Sequence, residues 1–243
     1  MLKKVTVAIA LTGLMAGAAY AGMAPQTGIN GSKHDMNKYT GVVETSARTC
    51  VFCHTPHNAK TSASIAPLWN RADSTFDAKS YAWQAPQNAL QTAITKADAL
   101  QGPTRLCLSC HDGSIALDSH MSGTTKLVGV AKIADLSITH PVGFDYVVAA
   151  GKRDDIVAAN TTNAFLPAQL FGTAAVAFDT KNLTRTGTKT IVSTLSGGTV
   201  MTCASCHEVH NTSNAVNVVN ASANYFLNAP EDGSAICLSC HIK

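Results

Sequence analysis

Apolar residues along this chain come mostly as singles among Ala, Thr, Ser and Asn, so little regular structure is expected. Three stretches carry a pattern. Gln87 to Gln101 reads as the best helix, with Pro86 before it and Gly102-Pro103 after it. Lys152 to Ala159 reads as a short helix. Lys189 to Cys203 alternates Val, Ile, Leu and Thr around Gly197-Gly198, which predicts a β-hairpin.

The one continuous apolar run, Val5 to Ala18, stands behind Lys3 and Lys4 and ahead of Ala19-Tyr20-Ala21. Positive head, short apolar body and small-x-small end make a secretory signal over 1–21, cut before Gly22. The run is shorter than the roughly 20 residues of a membrane span, so no span is expected in the mature form, 22–243. No cysteine follows closely enough for a lipid anchor, since the first is Cys50.

Removing Lys3 and Lys4 takes the formal charge from +3 to +1, without the clustered basic patch that nucleic acid needs. With seven Phe, five Tyr and two Trp, the chain has few large side chains for a core. Something else must supply apolar bulk.

The eight cysteines of an exported chain suggest four disulfides by compartment, and the spacing overrules that. Cys50, Cys53 and His54, then Cys107, Cys110 and His111, then Cys203, Cys206 and His207, and lastly Cys237, Cys240 and His241 repeat C-x-x-C-H with no cysteine left over. Two thiols three positions apart lie on one side of a helical turn and can add to the two vinyl groups on one haem edge. The following histidine is then held under the iron as an axial ligand. Zinc and redox-disulfide chemistry do not require that histidine. Four covalent haem c groups are expected, and they would supply the missing apolar bulk.

Each iron needs a second axial ligand, and five further histidines are present: His34, His57, His120, His140 and His210. They suffice without Met23, Met36, Met121 or Met201. His57 and His210 follow a motif histidine by three positions, on the same side of that haem, so each must serve a different haem or none. Pro141 stiffens the turn at His140, and Asp35 is placed to orient His34. His120, in a small polar stretch, reads as loop surface. The expected distal set is therefore His34, His57, His140 and His210.

The first and third motifs both read C-x-x-C-H-x-x-H-Asn, and the second and fourth both read Cys-Leu-Ser-Cys-His. This suggests a single tetrahaem domain with a two-plus-two repeat, about 22–141 and 200–243, and a haem-free insert at about 142–199. The expected fold class is multihaem cytochrome c, with short helices and a hairpin wrapped around a chain of four haems.

In order, His34-Asp35-Met36, Cys-x-x-Cys-His54-Thr-Pro-His57-Asn, Cys-Leu-Ser-Cys-His111-Asp-Gly, Thr-His140-Pro-Val-Gly-Phe, Cys-Ala-Ser-Cys-His207-Glu-Val-His210-Asn and Cys-Leu-Ser-Cys-His241 span most of the mature chain. This resembles the secreted tetrahaem cytochromes of metal-reducing bacteria, in particular the OmcE-type filament-forming cytochromes. The resemblance implies bis-histidine low-spin haems at low potential. It also implies a polymer with a continuous haem chain and one axial histidine from the neighbouring subunit. Since the fourth motif stands two residues from Lys243, the expected head-to-tail contact sets His57 on the His241 haem of a neighbour. Electron transfer to extracellular acceptors, other cytochromes or metal oxides, is the function so implied, without catalysis. A monomeric periplasmic shuttle and a multihaem reductase are the alternatives, and the reductase needs an open iron that five spare histidines argue against.

Overall fold

The computed structural model describes residues 29, 32–42, 44, 46–59, 68–72, 74, 76, 100–136, 139–160, 162–164, 189–210, 226–229 and 234–242. Five short helices carry these parts: α1 Pro103–His111, α2 Tyr146–Lys152, α3 Ile191–Thr194, α4 Cys203–Cys206 and α5 Ala235–Leu238. One two-stranded antiparallel sheet pairs β1 Phe144–Asp145 with β2 Val200–Met201, in register Phe144 with Met201 and Asp145 with Val200. Among the described residues no helix is long and apolar enough to cross a membrane.

The helix expected over Gln87–Gln101 lies outside the described residues except at Leu100 and Gln101, which form a turn. Gly102-Pro103, expected to follow a helix, starts one instead. Pro103 at the first position of α1 has a fixed φ and lacks an N–H that would have no helical partner there. Gly102 has φ +61° and ψ −142°, and a Cβ on it would stand 2.7 Å from Ser196 Oγ.

The helix expected over Lys152–Ala159 is displaced toward the amino terminus. Asp145 Oδ1 accepts from Val148 N at 2.9 Å and caps α2, which closes at Lys152. Arg153 then turns extended (φ −135°, ψ 123°), and Ile156 pairs with His241. The hairpin expected over Lys189–Cys203 is half right. Gly197 and Gly198, both at positive φ, do reverse the chain, and Ser196 bridges Val200. The arm before the turn is helical, because Thr190 and Ser193 cap α3 reciprocally, and β2 takes β1 as its strand partner.

Among the described residues the buried apolar side chains gather in three small clusters. Met36, Phe52, Leu117 and Leu127 surround the first motif, with Cys53 and Cys110 packed against them. Leu100, Leu108 and Leu136 form the second. The largest gathers Phe144, Tyr146, Ala149, Val157, Ile191, Leu195, Met201 and Ala229, with Ile236, Cys240 and Ile242 at its edge. Residues of the expected insert thus build the packing around the fourth motif. Tyr146 ties this cluster by donating its hydroxyl to Val157 O at 2.8 Å, and Val157 N donates to Cys240 O at 2.9 Å.

Candidate functional site

Each C-x-x-C-H stretch forms a single tight turn. The second motif closes α1, the third begins on α4, the fourth on α5, and the first on a 3-10 turn, Thr49–Phe52. In the first, third and fourth motifs the histidine N–H donates to the first cysteine carbonyl: His54 to Cys50 at 2.9 Å, His207 to Cys203 at 3.0 Å, His241 to Cys237 at 2.9 Å. That bond fixes both thiols and the imidazole on one turn. None of the eight cysteines is in a disulfide.

The turn must end at once so that the histidine can leave the helix. In the first motif, Asn70 N donates to Cys53 O and Thr55 N to Leu68 O, both at 2.8 Å. In the third, Asn228 N donates to Cys206 O at 2.9 Å and Glu208 N to Phe226 O at 2.7 Å. Leu68 and Phe226 share φ +56°. The Asn70 amide donates to Val51 O at 2.7 Å, and the Asn228 amide to Ser205 O at 3.0 Å. One clamp is therefore built twice, by Leu68-Trp69-Asn70 and by Phe226-Leu227-Asn228. Sequence reading missed it, because its only shared letter is Asn. In the fourth motif Ile156 takes the strand-like place, with Ile242 N donating to Asp155 O at 2.8 Å.

Thiols of successive motifs lie close. Burial pushes Cys53 up to about 12, with Cys110 adding to the effect. Cys107 beside Cys203 holds the Cys203 thiol down at about 7, while Cys203 and burial push Cys107 well up. Burial, then Cys240, pushes Cys206 up to about 12. The four motifs therefore follow one another in space as they do in sequence.

The histidines meet in pairs. His34 and His111 have ring centres 6.0 Å apart, His54 and His210 6.0 Å, and His140 and His241 6.3 Å. Two imidazoles on opposite sides of one metal, with bonds of about 2.0 Å and ring centres about 1.1 Å beyond each nitrogen, stand about 6.2 Å apart. All three separations fit that arrangement, and each joins a motif histidine to a histidine from elsewhere in the chain. His111 Nδ1 lies 2.8 Å from Ala131 O, and His140 Nδ1 lies 3.0 Å from Pro141 O, which leaves Nε2 of each for a metal. Asp35 Oδ1 accepts from Asn37, while His34 Nδ1 is buried with no hydrogen-bond partner. Burial, then His111 and His207, lowers His34 to about 4, so it is neutral at pH 7 as a ligand must be.

His140 stands opposite His241, where sequence reading set a neighbour's His57. His57 is exposed and contacts Thr55: its carbonyl accepts from Thr55 Oγ1 at 2.7 Å. His120 is not plain loop surface. Its ring meets Phe52 edge-on at 5.1 Å, and both its nitrogens are buried without a hydrogen-bond partner. Met36 and Met201 are packed into apolar clusters. Among the described residues no three His, Cys, Asp or Glu side chains converge as a zinc site would require. Paired thiols outside any disulfide, a histidine on each turn and imidazoles at these separations form a donor set that fits c-type haem. No protein-family model matches the chain, and no curated protein matches it.

Proposed function

We propose that the chain is an exported tetrahaem c-type cytochrome that conducts electrons. The observation that carries this reading is the set of three histidine pairs with ring centres 6.0, 6.0 and 6.3 Å apart, each including the histidine of a C-x-x-C-H turn. A bound c-type haem supplies an iron that takes up and gives off one electron. The chain's residues do the rest. Cys50, Cys53, Cys107, Cys110, Cys203, Cys206, Cys237 and Cys240 would hold the porphyrins as thioethers. His54, His111, His207 and His241 would ligate from the motif side, with His210, His34 and His140 opposite three of them. At those three irons, ligands on both sides would leave no open coordination position, which favours electron transfer over catalysis there.

The chain in this reading assembles head to tail outside the cell and passes electrons to extracellular acceptors. His57 supports this, since it is exposed and belongs to none of the three pairs. It is the ligand available to a neighbouring subunit, at an iron other than the one between His140 and His241. The test combines intact mass, a haemochrome spectrum and negative-stain electron microscopy of the secreted protein. Four covalent haems, an all-low-spin oxidised spectrum and filaments are expected. A haem-free mass would end the cytochrome reading. Normal filaments with all-low-spin haem from a His57→Ala protein would end the role given to His57.

A further inference from the structure

Among the described residues Arg71 is the largest fully buried side chain, 1% exposed. One guanidinium nitrogen donates to Leu117 O at 2.7 Å and to Phe52 O at 3.3 Å, another donates to Ala116 O, and Nε has no hydrogen-bond partner. Phe52 lies between the two cysteines of the first motif, and Ala116 and Leu117 follow the second. No carboxylate among the described residues pairs with Arg71. An arginine stays charged at any working pH, and a buried charge bonded only to carbonyls is costly to hold. Its field reaches both motifs, where it opposes the burial that pushes up the Cys53 and Cys110 thiols.

The duplicated clamp provides an internal comparison. Arg71 follows Asn70 in the first clamp. The residue after Asn228 in the second is Ala229, equally buried and neutral. The two halves share a backbone device, and Arg71 occupies the place that Ala229 takes in the second; the first half also buries the carboxylates Asp35 and Asp118.

We propose that Arg71 raises the reduction potentials of the irons held by His54 and His111, against the buried carboxylates Asp35 and Asp118 of the same half. The inference rests on the haem reading above. Reduction adds one electron to an iron and removes one unit of positive charge, with no bond to the chain made or broken. A fixed cation nearby opposes the ferric state more than the ferrous state, and low effective dielectric strengthens that effect.

The test is a redox titration of the filament or secreted holoprotein at an electrode, followed optically, with haem content measured alongside. Arg71→Met should lower two of the four potentials. A unit charge about 10 Å away at an effective dielectric of about 20 changes an equilibrium about tenfold, which is about 59 mV for a one-electron couple. Arg71→Lys, which keeps the charge and loses the fork, should stay near the wild-type potentials. If Arg71→Met does not accumulate, Arg71→Gln takes its place, with an amide that can still donate to Leu117 O. Four unmoved potentials, a uniform shift of all four, or a Lys variant that falls with the neutral one would each overturn the proposal. Failure to find haem at all would instead overturn the reading beneath it.

Discussion

His140→Ala isolates the pairing geometry from the fold. The His140 residue is exposed, and its ring hydrogen-bonds the carbonyl of the next residue, Pro141, at 3.0 Å, while its own carbonyl accepts from Thr139 Oγ1 at 3.4 Å, a bond that alanine keeps. Apart from the lost iron bond, a surface change of this kind costs within about 0.5 kcal/mol. The ring stands 6.3 Å from His241, so its removal should free one axial position on one iron in four. The expected readout is a high-spin signal from a quarter of the haem in the oxidised electron paramagnetic resonance spectrum, with unchanged haem content. His34→Ala makes the contrast. It should also free one iron, at His111, but the His34 ring packs on Phe226 at 4.9 Å. Its removal leaves a cavity, so about 2 kcal/mol or more of stability should go with it. An all-low-spin His140→Ala protein would refute the reasoning from ring separations. A His57→Ala, His140→Ala double variant would then show whether a neighbour's His57 had been the ligand.

Three further outcomes follow from the packing and the charges. Tyr146→Phe leaves the buried Val157 carbonyl without its hydroxyl donor and should cost about 1–2 kcal/mol, read by urea unfolding. Gly102→Ala forces a Cβ into the left-handed region and against Ser196, so a loss of about 1–2 kcal/mol is expected in the same assay. His34 has a folded value of about 4 against an ordinary 6.5, so the unfolded chain takes the proton first. Stability should be fully present above pH 6.5 and fall between 6.5 and about 4, by about 3 kcal/mol at most. Unfolding midpoints that stay flat across that window would contradict the burial of His34.

The motif turns were legible because their chemistry is local: five consecutive residues place two thiols and an imidazole on one turn. That His210 would stand by the histidine of another motif was legible in kind, since three residues cannot carry a ring to the far side of its own motif histidine. Which motif it meets was not, because that depends on how distant segments pack. The clamp was hidden because it works through backbone bonds and a positive φ at Leu68 and Phe226, neither of which is a favoured glycine or asparagine position. The helix at 146–152 was misplaced because Asp145, its cap, follows Phe144 in what reads as an apolar segment. His120 was set aside for its polar neighbours, though the sequence alone could not reveal that Phe52 covers it. Arg71 drew no attention as a single charge in a polar stretch, and only its burial makes it informative.

The pairing of His54 with His210 also sets an order in time. His210 lies 156 positions after His54, and the clamp that places it, Phe226 to Asn228, comes later still. A chain threaded out of the cell from its amino terminus presents its first attachment turn early. The partner that completes that site arrives near the end of synthesis, after the cost of closing a long loop has been met. The earliest cofactor to be bonded would then be among the last to be fully ligated. Truncations ahead of residue 210 would leave the first centre exposed and reactive, although every residue of its own motif is present.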